Sequence, residues 1–101
     1  MVKIINGRKY STETAKEIDS YWNGYSVRDF NHMTETLYQK KTGEFFIHGE
    51  GGGLSKYCSH YGTMRGDGEN IVPLTIEEAR EWAEKHMTAE KYEEVFGPVE
   101  E

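Results

Sequence analysis

The chain has 101 residues, 36% of them hydrophobic and 13% aromatic, with 18 acidic and 12 basic side chains, a net charge of −6 and one cysteine. That length makes one domain, 1–101, and the lone Cys58 excludes an intrachain disulfide and suits a reducing compartment. Residues 1–74 carry nine acidic and nine basic side chains, whereas 75–101 carry nine Glu against Arg80, Lys85 and Lys91. With no basic stripe, direct nucleic-acid binding is disfavoured as a main role, and a basic protein surface is the better match for the tail.

Val2–Ile5, Asn6-Gly7 and Arg8–Tyr10 read as a short hairpin, because Asn-Gly is the preferred pair where both turn residues need positive φ. No apolar leader opens the chain and no window reaches the ~18 apolar residues of a membrane span, so the expected location is the cytoplasm. Ser11-Thr12-Glu13-Thr14 carries helix-starting residues, and Ala15, Ile18 and Tyr21 or Trp22 follow at helical spacing, so a helix is predicted up to the stop at Asn23-Gly24. Residues 25–33 read as a loop with some extended structure. Thr34–Lys40 and Glu44–His48, around a Lys41-Thr42-Gly43 turn, form the clearest hairpin. A glycine-rich run, Gly49 to Gly53, leads into Leu54–Tyr61, a second glycine-bearing stretch, and a last strand at Ile71–Leu74 whose Pro73 belongs at a sheet edge.

Thr75-Ile76-Glu77-Glu78 is a capping box, and Ile76, Ala79, Trp82, Ala83, His86 and Met87 share the face behind it. Glu81 and Lys85 stand at the spacing of a favourable ion pair. Thr88 starts a short final helix that Gly97-Pro98 ends. The expected fold is α+β: a small antiparallel sheet, hairpin plus meander, packed by two main helices and a short C-terminal helix.

Few residues carry chemistry. Cys58 and His60, two apart, would face one side of a strand as a two-ligand clip, with His48 nearest in sequence and His32 and His86 further off. Structural zinc sites usually add a second close pair, and none is present, so no metal is expected; zinc on His48, Cys58 and His60 is the alternative. Cys58 with His60 is also the one nucleophile–base candidate, but no third group orients them, and the expected reading is non-enzymatic. The run Gly49–Gly53 lacks the Gly-Lys-Ser/Thr ending of a phosphate loop and reads as a tight or flexible turn that lets another backbone approach. The carboxylates of 77–94 either form a solvated helix face or imitate the phosphate spacing of nucleic acid.

Lys3 to Ala15, Glu35 to Phe46, Gly49-Glu50-Gly51-Gly52, Ser55-Lys56-Tyr57 and Pro73-Leu74-Thr75 before Glu78-Ala79 and Glu81-Trp82 together resemble a family of small proteins carried by phages and mobile elements of Gram-positive bacteria. The resemblance covers nearly the whole chain. Some small proteins of this kind are similar to anti-CRISPR proteins, inhibitors of the single-effector, type II RNA-guided nuclease. It implies a non-catalytic inhibitor, acting in the cytoplasm of a bacterial host cell, whose partner is a large, basic, nucleic-acid-handling CRISPR nuclease, with no catalytic residues to assign. Glu77, Glu81 and Glu84, joined by Glu50, Tyr57 and Tyr61 around the glycine-rich run, are then the expected partner-binding residues. The alternatives are a small zinc-binding domain and an accessory mobile-element protein with another host protein target.

Overall fold

In a computed structural model that describes residues 1–101, the side chain of Tyr61 excepted, the chain folds as eight strands and two helices. The Asn6-Gly7 turn, with φ of 51° and 76°, joins β1 (Val2–Ile5) to β2 (Arg8–Ser11) in the expected hairpin. β3 (Lys16–Trp22), β4 (Met33–Gln39) and β5 (Phe45–Gly51) form an antiparallel meander. The small hairpin β6 (Ser59–Tyr61) and β7 (Met64–Gly66) interrupts the path before β8 (Gly68–Leu74) returns beside β5. The main sheet therefore has the order β3-β4-β5-β8, and Pro73 lies on an edge strand as its missing N–H requires. Helices α1 (Ile76–His86) and α2 (Ala89–Phe96) complete the chain. Among the described residues no helix is long and apolar enough to cross a membrane.

The α+β class and antiparallel pairing are as expected, but the helix predicted after Ser11 is not formed. One helix-like bond, Ala15 N–H to the Ser11 carbonyl at 3.1 Å, closes a single turn, and the chain then runs straight into β3. The spacing that suggested a helix has another origin. Glu17 pairs with Tyr38 and Asp19 with Leu37, so Ile18 is the extra residue of a β-bulge. The bulge shifts the alternation by one and brings Ile18 and Tyr21, three apart, to the same core, while Trp22 is exposed. Two helices, not three, therefore cover the sheet.

Strand β5 is shared by two cores, because its successive side chains point to opposite faces. Phe45 and Ile47 pack with Ile18, Leu37, Ala79 and Trp82 under the helices. Phe46, between them, packs on the other face with Tyr10 of the hairpin and Ile71 of β8. Its ring meets Tyr10 edge-on at 5.6 Å and stacks on Tyr38 at 5.2 Å. The result is three layers: helices, sheet and N-terminal hairpin.

Toward its end β5 turns to glycine because the rest of the chain lies directly on it. The Tyr57 ring occupies the space a Cβ on Gly49 would need, Ser55 and the His32 carbonyl fill that space at Gly51, and the Phe30 carbonyl fills it at Gly52. The close approach that the glycines permit is made by this chain, not by another one, and all of Gly49 and Gly51–Gly53 are buried. Gly49→Ala is expected to cost at least about 3 kcal/mol in chemical denaturation. Ser20→Ala, at an exposed position of β3, should stay within about 0.5 kcal/mol of the parent.

Candidate functional site

The most constrained polar group is the carboxylate of Glu35, only 3% exposed. Strand β4 aims it at the helix face, with Tyr21 and Gly49 as its cross-strand neighbours. A buried carboxylate must find donors in place of water. The Tyr57 hydroxyl donates to Oε2, Lys56 Nζ reaches the same oxygen at 2.9 Å, and the Trp82 indole N–H donates to Oε1 at 3.1 Å. Burial pushes the Glu35 carboxyl up, but the hydrogen bonds from Tyr57, Lys56 and Trp82 and the Lys56 charge outweigh it and hold the group below the ordinary carboxylate value. The same burial and the bond to Glu35 push the Tyr57 phenol well above its usual range. His86 stacks on Tyr21 at 3.8 Å and meets Trp82 edge-on at 5.0 Å. Burial is the main cause of its lowered pKa, opposed by Glu35 and assisted by Lys85 and Lys56. With both carboxylate oxygens engaged and the group enclosed, this cluster is a clamp that fastens the 55–57 segment and α1 to the sheet.

Tyr57 is thereby removed from the surface. Expected as an exposed anchor, it is buried to 8% exposure, because its ring fills the Gly49 slot and its hydroxyl serves Glu35. The side chain of Tyr61 lies outside the described residues. Glu50 is exposed on β5, on the sheet face away from the helices, between Thr34 and Glu69 of the neighbouring strands. It borders a shallow hollow with Val27, His32 and Asp67.

The residues considered for a metal do not converge. Cys58 Sγ and His60 Nε2 are 3.7 Å apart, although Cys58 precedes β6 and does not share a strand with His60. His48 is instead held by Glu69 at 3.0 Å. Among the described residues no three His, Cys, Asp or Glu side chains come together as a metal site.

The acidic helices are built as the sequence implied. The Thr75 hydroxyl accepts from the Glu78 N–H at 3.1 Å, and the Glu78 carboxylate accepts from the Thr75 N–H at 2.9 Å, so Glu78 is spent on the cap. Ala79, Trp82 and Ala83 bury the inner face of α1, which leaves Glu77, Glu81 and Glu84 exposed. Thr88 caps α2 at 3.2 Å from the Lys91 N–H, and Glu90, Glu93 and Glu94 are exposed there. Among the described residues none of these carboxylates is closed into an ion pair, and Glu81 does not meet Lys85. Arg80 instead lies 5.8 Å from the Phe96 ring, bracing α1 against α2.

One surface was missed by sequence reasoning. Trp22, Tyr25, Val27, Phe30, Leu54 and Met64 are large, apolar and exposed. The Gly52 N–H to His32 carbonyl bond at 3.0 Å and the Leu54 N–H to Phe30 carbonyl bond at 2.8 Å tie the loops that carry several of them. Phe30 and Leu54 line a cleft with Gly53 and Arg65. The signal lay in Tyr25, Val27 and Phe30, apolar residues in a stretch with neither helical nor strand periodicity.

No protein-family model, curated protein or solved structure matches the chain.

The clamp gives stability a defined pH dependence. Both Glu35 and His86 have folded pKa values below their ordinary ones, so the unfolded chain binds more protons as pH falls. Melting temperature is expected to decline in two steps, first as pH drops below 6.5 through His86 and then below 4.5 through Glu35. His86→Phe should flatten the upper step alone. Glu35→Gln should shrink the lower one, which Glu44 shares, while lowering stability at neutral pH by about 1–3 kcal/mol, since the amide keeps one acceptor oxygen but turns its NH2 toward a buried donor.

Proposed function

We propose that the chain is a non-catalytic, protein-binding inhibitor of the anti-CRISPR kind, which binds an RNA-guided type II nuclease and blocks it. The observation that carries this reading is the array of exposed carboxylates at Glu77, Glu81 and Glu84 of α1 and Glu90, Glu93 and Glu94 of α2, which among the described residues make no ion pair. They belong to the quarter of the chain that holds the entire charge imbalance. A nuclease of this class holds its guide–target duplex in a positively charged channel. Carboxylates three or four residues apart on a helix repeat at about 5–6 Å, close to the spacing of backbone phosphates. Such an array steers encounter with a basic surface and competes for the groups that grip nucleic acid.

The helices are suited to this because little has to be ordered on binding. α1 is capped by side chain and backbone together and fixed through Trp82 to Glu35, so its carboxylates are presented on a rigid element. Exposed Trp22 and Tyr25 add aromatic side chains of the type that dominates interface energies when enclosed by a partner.

Tagged protein should co-purify with a type II nuclease, with or without guide RNA, and abolish its cleavage of target DNA. Glu77→Lys, Glu81→Lys and Glu84→Lys combined, with circular dichroism to verify folding, should raise the inhibitor concentration needed about tenfold or more and weaken its salt dependence. Full cleavage without a complex would overturn the reading. Unchanged potency in the triple variant would remove its electrostatic part.

A further inference from the structure

On the opposite side of the sheet from the helices, the N-terminal hairpin and the β4–β5 turn border a half-open cavity of about 160 Å³ lined by Lys9, Ser11, Thr14, Ala15, Lys40, Lys41 and Thr42. Its chemistry is unlike the rest of the molecule. Three lysines and three hydroxyl side chains meet there, and among the described residues no carboxylate lines it. This occurs in a chain whose net charge is −6.

The walls are two turns held side by side. The Ser11–Ala15 turn is closed by the Ala15 N–H to Ser11 carbonyl bond, and the Lys40–Glu44 turn by the Lys40 N–H to Glu44 carbonyl bond at 2.8 Å. Lys40 is positioned from beneath, lying 4.3 Å from the Tyr10 ring centre and 3.3 Å from Glu44 Oε2. Glu44 also binds Arg8 at 2.7 Å, so one carboxylate is shared by two cations. Arg8, Lys9, Lys40 and Lys41 against Glu44 and Glu13 of the adjoining turn leave a local surplus of two positive charges. Among the described residues the ammonium groups of Lys9 and Lys41 have no carboxylate partner. Ser11 is 4% exposed, and its oxygen already accepts from the Glu13 N–H at 3.2 Å. Its hydroxyl hydrogen is therefore left to donate, as are those of Thr14 and Thr42 at the rim.

Three lysines, three hydroxyl side chains, a charge surplus of two and room for one tetrahedral group together define the ligand. We propose that this cavity binds a phosphate dianion, either inorganic phosphate or a phosphate monoester such as a nucleoside monophosphate. A dianion matches the surplus better than the singly charged diesters of a nucleic-acid backbone. The site lies on the opposite face from the carboxylate helices and is independent of the inhibitor reading.

The test is an amide-shift NMR titration of the full chain with inorganic phosphate against a chloride background of matched ionic strength. Saturable shifts confined to residues 9–15 and 40–43 are expected. Lys9→Gln with Lys41→Gln should weaken binding by about tenfold or more. Ser11→Ala should weaken it less, and Lys85→Gln on α1 should leave it unchanged. A nucleoside monophosphate should produce the same shifts and the unphosphorylated nucleoside none, which separates phosphate recognition from base recognition. Non-saturating shifts, an equal response to chloride, or parental affinity in the double lysine variant with its remaining spectrum intact would each overturn the proposal. Tighter binding of an oligonucleotide lacking terminal phosphates would overturn the dianion assignment.

Discussion

A carboxylate taken out of water keeps its charge only when surrounding donors replace the hydration it has lost. Glu35 meets that condition with donors from parts of the chain far apart in sequence: Lys56 and Tyr57 from the segment before β6, and Trp82 from α1. Helix, sheet and loop are thus fixed by a single acceptor. The arrangement also dictates its neighbours. Tyr57 can reach Glu35 only by lying across β5, and β5 must then carry glycine at position 49. The run Gly49–Gly53 is a consequence of the clamp and of the loops tied beside it, its glycines giving room to this chain's own side chains and carbonyls.

The clamp also explains how a chain with few aliphatic residues builds two cores. β5 gives Phe45 and Ile47 to one side and Phe46 to the other, so one strand is covered on both faces. Large rings bury much area for each side chain ordered, which offsets the polarity of the remaining sequence. The cost falls at the far end of the sheet, where β5 becomes glycine and polar groups take over the packing. There the loops carry Phe30, Leu54 and Met64 outward, since the space inside is already taken by Tyr57 and Ser55.

Features governed by neighbours in sequence were legible. The Asn6-Gly7 turn, the β4–β5 hairpin, the Thr75 capping box, the Thr88 start and the edge position of Pro73 all follow from local backbone chemistry, and each is present. What was misread depended on partners distant in the chain. Ile18 and Tyr21 looked helical because a bulge, set by pairing with β4, gives a strand a three-residue offset. Tyr57 looked like a surface anchor because nothing near it in sequence announces a buried carboxylate 22 residues earlier. Glu35 itself sits in a run of strand-forming residues, where one acidic side chain ordinarily marks the solvent face. The exposed carboxylates of α1 and α2 were readable because helical spacing alone decides which of them face outward.

The net charge of −6 describes no surface of the molecule. The sheet separates a helix face bearing six exposed carboxylates from a hairpin face with a surplus of cations around Lys9, Lys40 and Lys41. Layers packed on a sheet stand about 10 Å from it on each side. At physiological ionic strength the screening length is only about 8 Å, so charges on the two outer layers scarcely influence each other. A basic partner approaching the helices therefore meets a net negative field, only partly offset by Arg80, Lys85 and Lys91, although the full chain carries twelve cations. An anion approaching the hairpin meets a positive one, although the chain as a whole is acidic. Composition alone would assign this protein a single electrostatic character. The antiparallel sheet gives it two, because it holds the acidic quarter of the chain apart from the lysines of the turns.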